Sequence, residues 1–185
     1  MIKHSSIRPI SPKEVGPLTK LARETFYRSF IYANPEARMN AYLDAHMTED
    51  NMLEELRDPN NHFFLIMVEE AWAGYAKMRE AYVPDCVADK SALEIERFYI
   101  HQDYHAKGLG SKLMSYCINW SIAREKTAVW LGVWEENHSA IQFYQRKGFE
   151  KKGDKDFMFH DDLQTDWIME KVLQDLDLPG SRENV

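Results

Sequence analysis

A chain of 185 residues with 44% hydrophobic and 29% charged side chains is long enough for one well-cored domain and short for two. Its net charge of −7 lacks the basic footprint that nucleic-acid binding requires, while it suits solubility and tolerates cationic partners.

The first residues, MIKHSSIRPISP, contain no apolar core of a signal segment, and no later run is apolar enough to span a bilayer. A cytoplasmic setting without membrane partners is the expectation. Ile7 to Pro9 reads as a short strand. Ser11, Pro12 and Glu14 then spell a cap residue, a first-turn proline and a capping-box acid. The helix they open is predicted to reach about Tyr32, with Leu18, Leu21, Ala22, Thr25, Phe26 and Ser29 turned inward. NPEARMNAYLDAHM and TEDNMLEELRD predict two shorter helices, the second capped by Thr48. HFFLIMV and AGYAKMREAY form a predicted hairpin, VPDCVADKS a loop, and ALEIERFYI a strand. A helix from Gly108 to Arg124 follows. In TAVWLGVW, Val129, Leu131 and Val133 alternate with Trp130, Gly132 and Trp134 at the period of a strand. The next helix, Asn137 to Lys147, ends on Gly148 with Phe149 behind it, the pattern of a left-handed cap. GFEKKGDKDFMF and QTDWIMEKVL are predicted closing strands. The order implies a single α/β domain over residues 1–175, a mixed central sheet flanked by helices, with a polar tail at 176–185.

Two cysteines, Cys86 and Cys117, supply neither a disulfide framework nor a paired ligand spacing, and no metal site is expected. Cys117 lies among apolar residues, as a core filler does. His101 and His105 fall in the HQDYH loop and read as surface polar residues.

The segment YHAKGLGSK sets two glycines at the seam between a strand and a helix. The first N–H groups of a helix lack intrahelical partners and sit at the positive end of its dipole, so anions bind there. Glycine clears the approach to them. Lys107 and Lys112 flank the turn and could add charge. Leu113 stands where a dinucleotide fingerprint needs its third glycine, and no Gly-Lys-Ser/Thr ending is present.

A second segment, LGVWEENHSAIQFYQRKGF, follows the glycine loop at a plausible spacing. Together the two resemble the GNAT (Gcn5-related) N-acetyltransferases, with likeness running from about Phe63 to Val172. Within that family LEIERFYI, the second segment and DDLQTDWIM look like the bacterial PaiA-like spermidine and spermine N-acetyltransferases. The resemblance implies a GNAT fold and acetyl-CoA as cosubstrate, with no metal. It assigns the pyrophosphate to His105, Ala106, Lys107, Gly108, Leu109, Gly110, Ser111 and Lys112. His105 stands where the family has glutamine or arginine. The backbone of Phe98, Tyr99 and Ile100 would pair with the pantetheine arm like an added strand. Asn137, a helix cap by sequence, would also bond that arm.

Acetyl transfer to an amine needs a neutral amine and a protonated leaving thiolate. Glu94 and Glu96 lie two apart on one strand and so share a face. Resemblance puts Glu96 where polyamine acetyltransferases carry a glutamate and Glu94 where the histone-type members carry their base, alongside the plainer reading as solvated residues balanced by Arg97 and other charges. Tyr144, a phenol protonated at neutral pH, is the expected proton donor to the thiolate. Glu54, Glu55, Asp161 and Asp162 are candidates for holding the far ammonium groups of a polyamine. The implied acceptor is a small-molecule amine of the polyamine class. A protein, peptide or aminoglycoside-like amine is the alternative acceptor, a non-catalytic acetyl-CoA-binding regulator the alternative class. A homodimer is left open.

Overall fold

The computed structural model describes residues 4–80, 82–159 and 162–173. The elements run β1 (Ser5–Pro9), a 3-10 turn (Pro12–Glu14), α1 (Val15–Phe30), α2 (Glu36–His46), α3 (Glu49–Arg57), β2 (Asn61–Val68), β3 (Ala71–Arg79) and β4 (Leu93–Ile100). They continue with a 3-10 turn (Gln102–Tyr104), α4 (Leu109–Ile122), β5 (Ala128–Trp134), α5 (His138–Arg146), β6 (Glu150–Phe159) and β7 (Asp162–Val172). The strands form a seven-stranded mixed sheet in the order β1-β2-β3-β4-β5-β7-β6. This is the α/β fold that the sequence implies. Two compact units make it up, Met1–Met78 with Arg97–Met114 and Arg79–Glu96 with Ser115–Val185.

Local signals explain why the elements start and stop where they do. Glu14 reaches back to the Ser11 N–H at 3.0 Å while the Glu14 N–H bonds the Ser11 carbonyl at 2.9 Å. Thr48 accepts the Asn51 N–H at 3.2 Å and starts α3. At the end of α5, Gly148 adopts φ +84°, its N–H bonds Gln145 O at 3.0 Å, and the Phe149 N–H bonds Tyr144 O at 3.1 Å. Those two bonds define a Schellman cap, and glycine is there because the left-handed φ costs other residues about 1–2 kcal/mol.

The first unit packs Leu18, Leu21 and Ala22 of α1 with Ile10, Met52, Phe63, Leu65 and Tyr75. Each large side chain so buried contributes about 1.5–3 kcal/mol of transfer free energy. Ser29, expected to face inward, is exposed instead, and its hydroxyl donates back to Thr25 O at 2.8 Å. A short polar side chain satisfies itself on the preceding turn more cheaply than in a core.

The second unit has its own cluster of Val83, Val87, Ala92, Ala128, Trp130 and Ile168. In it β5 pairs parallel with β4 and antiparallel with β7, which pairs with β6. The alternation read in this segment does form the strand β5, and Ala128 to Leu131 are all buried. Cys117 is buried, and desolvation pushes its thiol up to about 12, which fits an inert core residue.

The clamp at the start of α1 has a pH signature. Arg8 binds Glu14 through both terminal nitrogens, at 2.6 and 3.1 Å, and this pairing with the Ser11 N–H holds the Glu14 carboxyl down at about 2. The unfolded chain therefore takes up this proton first, and the stability Glu14 gives above pH 4.5 is lost as pH falls toward 2. Denaturant unfolding from pH 6 to 2.5 should show Glu14→Gln less stable at pH 6 and converging on the parent at pH 2.5. A constant gap across that range would contradict the assignment.

Candidate active site

In the first unit the residues singled out by the glycine loop form one continuous stretch from the end of β4 to the first turn of α4. Gly74 of β3 lets this strand end come close. A Cβ there would sit 2.5 Å from Tyr99 O and 3.0 Å from Ile100 Cα. The His101 N–H bonds Ala73 O at 2.8 Å, fixing the exit from β4. His101 is not the surface residue expected from sequence, since its ring is largely buried with Nε2 3.1 Å from Glu24 Oε1. His105, which is exposed, sets Nε2 2.7 Å from Ile100 O and closes the loop onto the strand. Lys107 donates to Asp103 O at 2.6 Å and lies over the Tyr104 ring.

Within this loop Ala106 has φ +57° and Gly108 has φ +79°. A left-handed residue directly ahead of a right-handed one, as Gly108 is ahead of the helical Leu109, turns successive N–H groups to one side in an anion-binding nest. Gly108 is exposed, and nothing lies within 4 Å of where its Cβ would be, so its conformation rather than crowding calls for glycine. Leu109, Gly110 and Ser111 then open α4, and the Lys112 N–H bonds Gly108 O at 3.1 Å. The helix start and the nest together present backbone N–H groups suited to a phosphate. Lys112 does not stand over this turn. Its ammonium is tied to Ser5 O and Oγ, both at 2.7 Å.

The second unit holds Glu94, Glu96, Asn137 and Tyr144. The β4–β5 ladder is two pairs long, Leu93↔Val129 and Glu94↔Trp130, although both strands run on. Glu94 is buried, and desolvation raises its carboxyl, opposed by Arg79. Arg79 donates Nε and Nη2 to Glu94 Oε2, at 2.8 and 2.5 Å, and its Nε also lies 3.3 Å from Glu96 Oε2. The two acids thus share the counterion Arg79. Burial also raises Asp166, against the pull of Lys155 at 3.9 Å. Neither Arg79 nor Lys155 stands out in the sequence, because each meets its carboxylate only across the sheet.

Asn137 is the cap the sequence predicts, its Oδ1 accepting the Ala140 N–H at 3.2 Å. Tyr144 is buried between the rings of Phe143 and Phe149, at 5.5 and 5.8 Å, and desolvation raises its phenol further. Of the polyamine-holding candidates, Glu55 is taken. Arg97 grips it with both terminal nitrogens at 2.7 and 2.8 Å, and the buried Lys77 adds 3.1 Å. Asp162 accepts from Gln164 at 3.0 Å, and Asp161 lies outside the described residues. No helix among the described residues is long and apolar enough to cross a membrane.

Comparison with known proteins shows the family and the fold. The acetyltransferase (GNAT) family model matches residues 19–149. An uncharacterised N-acetyltransferase of Lactobacillus delbrueckii subsp. lactis is 31% identical over 164 residues, covering 89% of this chain and 95% of its own. A spermine/spermidine N(1)-acetyltransferase of Bacillus subtilis is 38% identical over 64 residues, or 34% of this chain and 42% of that one. Among solved structures, the PaiA N-acetyltransferase of Thermoplasma acidophilum in complex with coenzyme A has a TM-score of 0.74. It is 18% identical and covers 91% of this chain and 99% of its own. The chain belongs to the GNAT family and is an acetyl-CoA-dependent N-acetyltransferase.

The shared counterion gives a test within this unit. Arg79→Met strands a buried carboxylate, and with Arg79 itself partly hydrated the cost should be about 2–3 kcal/mol. Burial alone then raises Glu94 further above its unfolded value, so the loss should grow as pH rises above about 4.5. Urea unfolding at pH 5 and 8 measures this. The double variant Arg79→Met/Glu94→Gln should recover most of the stability at pH 8.

Proposed function

We propose that the chain acetylates a primary alkyl amine, a polyamine such as spermidine or spermine, and that the residues above divide the chemistry. The observation that carries this is the pairing of two carboxylates, Glu94 and Glu96, on one strand at a shared Arg79. The partial likeness to the Bacillus spermine/spermidine enzyme supports the same acceptor class.

Acetyl-CoA is held, in this reading, by the N–H groups from Ala106 to Ser111 on its pyrophosphate and by the β4 edge at Phe98 to Ile100 on its pantetheine arm. Asn137 adds a contact to that arm. Gly108 fits this role, having open space where a side chain would stand. A polyamine nitrogen is mostly ammonium at pH 7, by analogy with a lysine near ~10.4. Glu96 is the proton acceptor in this reading, its side chain being 20% exposed against 4% for Glu94. Glu94 then acts to hold Arg79 in place. The neutral nitrogen attacks the thioester carbonyl, a C–N bond forms and the C–S bond breaks. Tyr144, whose burial keeps its proton on at neutral pH, donates to the departing sulfur, and the proton that the nitrogen sheds on becoming an amide restores the phenol.

Thiol release from acetyl-CoA with spermidine, spermine and a peptide amine tests the acceptor class. Turnover should be highest with the polyamines, and turnover only with the peptide would overturn it. Tyr144→Phe keeps the ring packing and should lower kcat by roughly 10²–10⁴ with acetyl-CoA binding little changed. Retained turnover would leave Tyr144 a packing residue.

A further inference from the structure

The side chain of Lys155 starts on the outer strand β6, where its Cα stands opposite Asp166 of β7. It crosses β7 and ends over Gly132 of β5. A Cβ on Gly132 would lie 2.7 Å from both Cε and Nζ of Lys155, and 3.2 Å from Asp166 Oδ2. The bare backbone of Gly132 is therefore the floor of a slot that an alkyl chain ending in an ammonium already occupies.

The walls of that slot are those a cation needs. Asp166 is mostly buried, at 14% side-chain exposure, and its carboxylate accepts no hydrogen bond among the described residues. Its one ion pair is with Lys155 at 3.9 Å, well beyond the 2.7–2.9 Å of a charge-assisted hydrogen bond. A buried carboxylate so poorly served leaves free energy to be gained from a better-placed donor. The Trp130 ring presents its face to the Lys155 ammonium at 5.8 Å, within cation–π range. Trp130 is itself buried, and its Nε1–H has no partner among the described residues. Lys155 remains 37% exposed, so its ammonium is loosely held and can swing into solvent.

We infer that the slot over Gly132, walled by Trp130 and Asp166, is a subsite for an unbranched primary alkylammonium, and that Lys155 is its built-in occupant which an acceptor amine must displace. The inference rests on the amine-acetylating function proposed above and adds a specificity-determining residue to it. It explains why a glycine sits in the middle of β5, where a β-branched residue would otherwise favour the strand. An acceptor competing with a tethered ammonium has its apparent affinity lowered by the fraction of time the slot is filled. Removing the competitor should raise affinity without touching the groups that move protons.

Lys155→Ala empties the slot, and Lys155→Met keeps a stem without charge. The KM for spermidine should fall about three- to tenfold in Lys155→Ala, the scale of a partly exposed ion pair, with kcat within about twofold. Lys155→Met should fall between it and the parent, and Asp166→Asn should raise KM at least about tenfold. An unchanged or raised KM in Lys155→Ala would overturn the inference. A readout independent of turnover is the Trp130 indole N–H signal during titration with n-butylammonium. It should shift at lower ligand concentration in Lys155→Ala than in the parent. Should this tightening appear in a protein that acetylates no amine, the subsite stands and the proposed acceptor class falls. Should polyamines be acetylated while neither KM nor the indole titration responds, the subsite falls alone.

Discussion

Two residues held in the left-handed conformation, Ala106 and Gly108, decide where α4 begins and where its first N–H groups lie. For Ala106 that conformation costs about 1–2 kcal/mol, and the surroundings must offset it. They do so from both sides. His105 is tied to Ile100 O and Lys107 to Asp103 O, while the close approach of Gly74 anchors the strand end from which the loop departs. The strain is concentrated where a row of backbone donors is needed, so little of the loop's fitness for an anion depends on side-chain identity. That is why histidine in place of the family's glutamine or arginine leaves the loop intact. Its ring nitrogen works on the protein's own carbonyl.

The second unit faces the opposite problem, because it buries acids. Desolvation raises Glu94 and Asp166, opposed by Arg79 and Lys155 respectively. Arg79 binds Glu94 by two short bonds and lies 3.3 Å from Glu96, so it distinguishes two chemically identical side chains. Among the described residues the ion-pair partner of Asp166 is the distant Lys155. A buried carboxylate with so distant a cation has free energy to gain from a better-placed ammonium. Here the architecture sets the chemistry, since Trp130 and Gly132 on one face of β5 bring groups from three strands together.

The sequence made the local features legible. Ser11 with Glu14, Thr48, Asn137 and Gly148 each act within five residues of themselves, so their caps could be read from spacing alone. Glu94 and Glu96 shared a face because strand period is fixed. What spacing does not carry is the partner. Arg79 lies on another strand from Glu94, Glu55 is claimed by Arg97 forty-two residues away, and Lys155 reaches Gly132 across an intervening strand. The positive φ of Ala106 was equally hidden, because alanine rarely adopts it and composition offers no cue.

The role proposed for the backbone N–H groups at the head of α4 is to hold the pyrophosphate of acetyl-CoA. The most direct measurement follows the amide signals of the folded chain during titration with coenzyme A and, separately, with pantetheine, which lacks the pyrophosphate. The account predicts large shifts at Ala106 to Ser111 with coenzyme A and small ones there with pantetheine. Saturable binding of coenzyme A that leaves those amides unmoved would contradict it.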